Sequence, residues 1–334
     1  MIIVQSYPVA VVMCVITMLC WGSWANTQKL AAKEWRFQLY YWDYAIGVLL
    51  MALFWALTMG STGSAGRGFF ADLAQASRSA IGLALLGGVV FNLANILLVA
   101  AIDIAGMAVA FPIGCGLSLV LGTVTNYILE PKGNAVLLFL GVGAVTAAAI
   151  LDALAYKRLP VAGPRVTAKG IGISILAGCL MGFFYPILSR SMVPDFANPE
   201  AGKLSPYTAN FFLSLGILLS SFVWNSIVMA KPFVGEPVPF ADYFRKGNPR
   251  LHLVGILGGA IWSIGTSFNI VAAGPAGFAI AFGLGYGGIM VAALWGVFIW
   301  KEFKTAPAGT NALLALMFAC YLAGLGLIIA ARPT

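Results

Sequence analysis

The chain has 334 residues, 61% of them hydrophobic and 9% charged, and a mean hydropathy of +0.94. Soluble domains carry charge on about a quarter of their residues, so water is excluded as the solvent for most of this surface and the chain reads as an all-α integral membrane protein. A net charge of +8 comes from 19 basic residues scattered through short polar breaks, without a basic patch or basic helix; this argues against a nucleic-acid partner and for a lipid bilayer.

Ten apolar stretches follow one another along the chain: Tyr7 to Leu30, Phe37 to Met59, Ala80 to Ala101, Ile104 to Leu129, Val136 to Tyr156, Ile171 to Leu188, Tyr207 to Met229, Leu251 to Ala272, Ala276 to Trp300 and Asn311 to Ala331. Most reach the roughly 20 residues that cross ~30 Å of hydrocarbon, and lipid cannot satisfy an open backbone, so each is expected to be a transmembrane helix. The first stretch has no preceding basic residue and no convincing cleavage site, which favours helix 1 over a signal peptide. Cys14, Cys20, Cys115, Cys179 and Cys320 lie inside apolar runs without metal-ligand spacing and are read as reduced packing residues. No cofactor or metal is expected.

Basic residues set the expected orientation. The breaks after helices 1, 3, 5, 7 and 9 hold 13 of the 19, so these breaks are expected in the cytoplasm and both termini on the opposite face of the cell inner (plasma) membrane. Lys157, Arg158, Arg165 and Lys169, around Pro160 and Pro164, form the expected cytoplasmic linker between two halves, 1–160 and 161–334.

The halves are related. Leu86, Gly87, Gly88, Ala101, Ala105, Gly106, Ala108, Ala110, Phe111, Gly114 and Gly116 recur as Leu257, Gly258, Gly259, Ala272, Ala276, Gly277, Ala279, Ala281, Phe282, Gly285 and Gly287, always 171 positions on. With five helices, an odd number, in each half, the second must be inverted relative to the first. The expected architecture is therefore two inverted five-helix repeats, an arrangement that alternating-access transporters use to hold a solute at the midplane.

Polar residues at midplane depth are the candidate binding groups. Asn92 and Asn95 lie near the middle of helix 3, and the same offset gives Ser263 and Thr266 in helix 8, each pair on one helical face; Asn269 continues it. Such residues bind a solute or bond helices together; the repetition favours the solute. Aromatic rings complete the candidate cavity: Trp21 and Trp24 beside Gly22 in helix 1, Tyr185 beside Phe184 and Pro186 in helix 6, and Trp262 in helix 8. Flat faces suit a planar or sugar-like ligand, while bulk packing is the alternative for any single ring.

Asp43, the seventh residue of helix 2, is the one acid clearly inside a span. It reads either as a proton-coupling carboxylate or as an interfacial Asp paired with Lys29 or Arg36 in an aromatic belt. Glu130, Asp152, Glu302 and His252 lie near helix ends and read as interfacial or structural. Gly283, Gly285, Gly287 and Gly288 superficially resemble a phosphate loop, but they fall inside an apolar span with no preceding strand. No Ser/His/Asp, metal or paired-carboxylate constellation appears within the spans, which argues against an enzyme and leaves a transporter.

Gly22 and Trp24, Asp43 and Tyr44, Asn95, the run Gly122, Thr123, Asn126 and Tyr127, and Lys203, Leu204, Tyr207, Thr208 and Ala209 together resemble the ureide permeases of the drug/metabolite transporter superfamily, over essentially the whole chain. The resemblance implies a five-plus-five fold and proton-coupled import of neutral nitrogen heterocycles such as allantoin, uracil or xanthine, with Asn126 added to the site. The chain also looks like bacterial permeases for ribose, glucose or rhamnose, and a passive channel and an exporter of hydrophobic cations are further readings. Plant ureide permeases have a long cytoplasmic centre with a proposed nucleotide-binding motif. Residues 157–169 contain no G-x-x-x-x-G-K-S/T pattern, so nucleotide regulation is not implied.

Overall fold

The computed structural model describes residues 1–31, 34–106, 109–110, 112–159 and 167–333. Lys33, Ala108, Phe111, Pro160, Pro164 and Arg165, used above in the charge count, the repeat and the linker, lie outside the described residues. Among the described residues ten helices are long and apolar enough to cross a membrane: α1 (Tyr7–Ala31), α2 (Phe37–Leu57), α3 (Arg78–Ala105), α4 (Pro112–Leu129), α5 (Ala135–Lys157), α6 (Ala168–Ser189), α7 (Pro206–Ala230), α8 (Pro249–Ala276), α9 (Phe278–Ile299) and α10 (Thr310–Ala330). The chain is a multi-pass all-α membrane protein. Large apolar side chains such as Val12, Leu50, Phe54, Leu140, Phe222 and Leu322 face outward, as lipid rather than water permits.

Hydropathy places the spans but not all of their ends. α3 and α8 each extend four residues beyond the expected Ala101 and Ala272, and both stop against a glycine in the left-handed region, Gly106 at φ 78° and Gly277 at φ 83°. An apolar run carries no mark of where the chain turns inside it; the positive φ that only glycine adopts cheaply does. At the other ends, Ser77 accepts from the Ala80 N–H at 3.1 Å and Asn248 from the Leu251 N–H at 3.0 Å, so the two 28-residue helices share cap, length and stop at the 171-residue offset. Neither α1 nor α9 is continuous: α1 turns at Trp24, and α9 turns at Tyr286 and Gly287 and ends in a π-helical turn, Trp295–Ile299.

The packing partners exchange across the halves. α3 lies on α6 and α7, while α8 lies on α1 and α2; α2 touches α7, α4 touches α9, and α5 pairs with α10. The α3–α7 crossing brings Gly88 against Gly216 and the Leu213 carbonyl, and the α8–α2 crossing brings Gly259 against the Tyr44 carbonyl while Gly47 sits on the Ile256 carbonyl. Without a hydrophobic drive between helices in lipid, such backbone-to-backbone approach supplies the dispersion contact that holds them.

On one side of the bundle the α2–α3 and α6–α7 connections are locked together. Asp72, wholly buried, accepts from Arg67 at 3.1 Å, Gln75 at 3.1 Å and the Ser205 N–H at 2.7 Å. Arg67 also donates to the carbonyls of Pro199, Glu200 and Lys203, at 2.9, 3.0 and 3.3 Å. This latch closes the bundle at that face.

Candidate functional site

The opposite face is open. A cavity of about 500 Å³ enters where α1, α3, α5 and α9 end and runs inward between α1, α3, α6, α8 and α9. Its walls are largely rings: Trp21, Trp24, Phe91, Phe184, Trp262 and Tyr286. Phe91 and Trp262, which are 171 positions apart, lie against each other with centroids 4.4 Å apart and planes tilted by 34°. Trp24 lies against Tyr44 at 4.8 Å, and Trp21 meets Tyr286 edge to face at 6.4 Å. Tyr286 is anchored by a hydrogen bond between its hydroxyl and Ser118 of α4.

Asn95 is the polar group in the depth of the cavity. Its amide donates to the Tyr41 hydroxyl at 3.1 Å, which donates in turn to Asn92 Oδ1 at 2.8 Å. Asn92 finishes the chain by donating to Ile217 O, Ser220 Oγ and Ser221 Oγ, at 3.1, 2.8 and 3.2 Å, and does not line the cavity. The two asparagines share a helical face, yet one orients the other: Asn92 locks α3 to α2 and α7, and Asn95 keeps the rest of its hydrogen-bonding capacity for the cavity.

The remaining expected site residues divide by depth. Trp21, Trp24 and Trp262 line the cavity with Asn95. Thr266 stands one layer behind, accepting from Trp21 Nε1 at 3.1 Å and donating to the Trp262 carbonyl at 3.1 Å, so it orients both rings. Ser263, Asn269, Asn126 and Tyr185 are fully buried and off the cavity. Asn269 donates to the Ala281 carbonyl at 2.7 Å, across the α8–α9 turn, and Asn126 donates to the Gly122 carbonyl at 2.8 Å within α4. Tyr185 packs its ring on Phe184, Phe278 and Phe282.

Asp43 also stands off the cavity, 1% exposed, and pairs with neither Lys29 nor Arg36. His252 Nδ1 lies 2.9 and 3.1 Å from its two oxygens, Tyr243 donates from 2.5 Å and Trp35 Nε1 from 3.3 Å. Tyr243 comes from the short helix Ala241–Arg245 in the α7–α8 connection. Burial and the adjacent carboxylate both raise its pKa, so the phenol stays a donor. The cluster ties that connection onto the start of α2. Nothing in the spacing of residues 43, 243 and 252 announces it; only the neighbourhood of α2 and α8 does.

Charge gathers at the mouth. Lys29 pairs with Glu302 at 2.6 Å and lies over the Trp300 ring at 4.3 Å, while Tyr156 donates to the second Glu302 oxygen at 2.7 Å. Trp300 donates to Asn26 at 2.6 Å and Trp295 to Ser23 at 2.8 Å, so the ends of α1 and α9 are stitched together by indoles. Asp103 and Asp152 also line the cavity. Among the described residues no group of acids, histidines and cysteines is arranged to hold a metal ion. Phe184, named in the sequence beside Tyr185, lines the cavity where Tyr185 does not; Phe91, Tyr286 and Trp295 are lining residues that the sequence reading missed, and the 171-residue offset, which pairs Phe91 with Trp262, is the signal that could have found the first.

A ring-walled, water-reachable cavity in a ten-helix bundle is the form of a solute site, and the relatives agree. Ureide permease 1 of Arabidopsis thaliana is 23% identical over 99% of this chain and 98% of its own length, and ureide permease 4 of the same plant is 25% identical over the same shares. Transmembrane protein 144 homolog B of Dictyostelium discoideum is 28% identical over 53% of this chain and 43% of its own. A solved crystal structure superposes with a TM-score of 0.63 at 14% identity over 95% of each chain, which shows a shared fold. The family model for ureide permeases matches residues 40–162 and 161–331, nearly the whole of both halves. The chain therefore belongs to the ureide permease family, whose members are membrane transporters and not enzymes.

Proposed function

We propose that this chain is a proton-coupled secondary importer of a small neutral polar solute of the ureide or nucleobase class. The cavity carries the reading. At about 500 Å³ it falls in the range of small-molecule sites, its rings offer flat faces to a planar heterocycle, and Asn95 offers an amide to the alternating N–H and C=O edge of such a solute. Among the described residues, the side chains around Asn95 in its depth, Phe91, Phe184 and Trp262, are uncharged, which suits a neutral cargo. The ureide names of the relatives supply the substrate class.

The two halves, 1–160 and 161–334, act as inverted repeats about an axis in the membrane plane. The exchanged packing partners, the matched caps and stops of α3 and α8, and the contact between Phe91 and Trp262 support this, since equivalent residues touch only near a two-fold axis. With the termini away from the cytoplasm of the inner membrane, the cavity mouth faces the cytoplasm and the Arg67–Asp72 latch faces outward. Reporter fusions at both termini are expected to score as periplasmic; cytoplasmic activity at both would reverse the polarity.

The substrate test is a thermal-shift screen of purified protein against allantoin, uracil, xanthine, ribose and glucose. A ligand at one hundred times its Kd stabilises the folded state by about 2.7 kcal/mol. Stabilisation by allantoin, uracil or xanthine is expected; stabilisation by ribose or glucose alone would replace the heterocycle with a sugar. Trp262→Ala and Asn95→Ala are expected to weaken the bound solute by about tenfold each, roughly 1.4 kcal/mol, through lost stacking and a lost hydrogen bond. An unchanged ligand shift in both variants would remove the solute from this cavity.

A further inference from the structure

We propose that Asp152 is the proton-carrying carboxylate of the transport site, a residue on the cavity wall that takes up the coupled proton and gives it back. The inference rests on the proton-coupled reading above. Asp152 lies in the last third of α5, is 6% exposed and lines the cavity. Among the described residues its Oδ1 is buried without a hydrogen-bond partner. Oδ1 of an ionised carboxylate there has no donor to replace the water it has lost, whereas a neutral acid carries no charge to compensate. Such a group exchanges protons with whatever water reaches the cavity.

The other acids are committed elsewhere. Glu302 is held by Lys29 and Tyr156, Glu130 by Lys132 at 2.7 Å, and Asp43 by His252, Tyr243 and Trp35 away from the cavity. Asp103 is exposed at the mouth.

The groups that face Asp152 come from each neighbouring element. Tyr321 of α10 lies near enough for the Asp152 charge to bear on it, and its own hydroxyl is likewise buried without a partner. Cys115 of α4 stands near Tyr321, and Tyr156 follows one turn along α5. Glu302, beyond α9, adds a second negative charge, offset by Lys29 of α1. Asp152 thus combines an unpartnered buried oxygen with a like charge, Glu302, nearby. A proton on Asp152 removes the charge that both the unpartnered oxygen and Glu302 disfavour, and its loss restores that charge. The step is a plain proton transfer: the carboxylate gains H⁺ from water on one side of the membrane and returns it to water on the other, with no other bond made or broken.

The test uses the full chain in proteoliposomes with radiolabelled allantoin, with and without an inward proton gradient, and counterflow exchange in the same vesicles. Asp152→Asn is expected to lose gradient-driven accumulation and keep exchange, since the amide imitates the protonated acid. In parallel, the infrared band of protonated carboxyl groups is followed against pH without any solute; Asp152→Asn is expected to remove a titrating component that Asp43→Asn leaves in place. Accumulation that persists in Asp152→Asn, or that is lost only in Asp43→Asn, would overturn the proposal. Should Asp152→Asn fail in exchange as well, Asp152→Glu decides: a shifted pH profile of uptake supports the proposal and an unshifted one refutes it. If the wild type takes up no allantoin, the substrate reading fails by itself and the infrared measurement still judges Asp152.

Discussion

Gly88→Val and Gly259→Val are each expected to lower the melting temperature of the purified protein sharply, or to prevent its recovery. A Cβ at Gly88 meets the Leu213 carbonyl and comes within 2.9 Å of the Ile217 nitrogen; one at Gly259 meets the Tyr44 carbonyl and comes within 2.7 Å of the Val48 nitrogen. The obstacles are backbone, so no side chain can swing aside. Even alanine separates the helices: it gains about 1 kcal/mol of helix propensity over glycine but loses more as the whole crossing opens. Gly88→Ala and Gly259→Ala are therefore expected to be net destabilising. Gly82→Ala and Gly326→Ala, with no heavy atom within 4 Å of the new methyl, are expected to be neutral or slightly stabilising. Melting of the four alanine variants side by side is the measurement, and equal midpoints would show that the crossings are looser than drawn.

Asp72→Ala is expected to cost about 3–5 kcal/mol, the usual penalty for breaking a buried ion pair from one side. Arg67 keeps its three carbonyl partners but loses its counter-charge, with its side chain only 17% exposed, and the Ser205 N–H loses its acceptor. Asp72→Asn is expected to fall between, because its amide oxygen still accepts from Ser205 but carries no charge. The comparison is Asp242→Ala, which removes a pair whose lysine, Lys246, is 64% exposed; it is expected to cost at most about 0.5 kcal/mol. Hydrogen exchange gives the local readout: amides 199–205 should lose protection in Asp72→Ala. Protection unchanged there would mean that Asp72 does not hold the two connections together.

Much of the candidate site was visible in sequence, though not its layering. Trp21, Trp24, Asn95 and Trp262 could be named because polar and aromatic residues are costly or bulky at midplane depth. Asn92 satisfied the same criterion and became a structural bolt, since three residues on, a helix has turned by almost one full turn and the adjacent side chain meets a different neighbour. Asp43 was singled out by being charged inside a span, and the partners that hold it, Tyr243 and His252, come from about 200 positions away. Asp152 drew little notice near a helix end, because sequence does not tell which end-of-helix acids find donors.

Hydrophobicity by itself determined that this is a multi-pass membrane protein, with ten spans among the described residues, since only helices satisfy their backbone in lipid and most of the apolar runs have the length to cross it. The 171-residue offset likewise exposed the kinship of α3 and α8, because caps, glycine stops and glycine contact points are local requirements written residue by residue. Tertiary structure alone decided which buried polar groups face the cavity, which lock helices and which stand unpartnered. In a span that is apolar on every side, hydropathy marks no inner face. The environment of each side chain is set by the neighbouring helix, and that helix is chosen by backbone-close packing between distant segments, which no periodicity within a single span records.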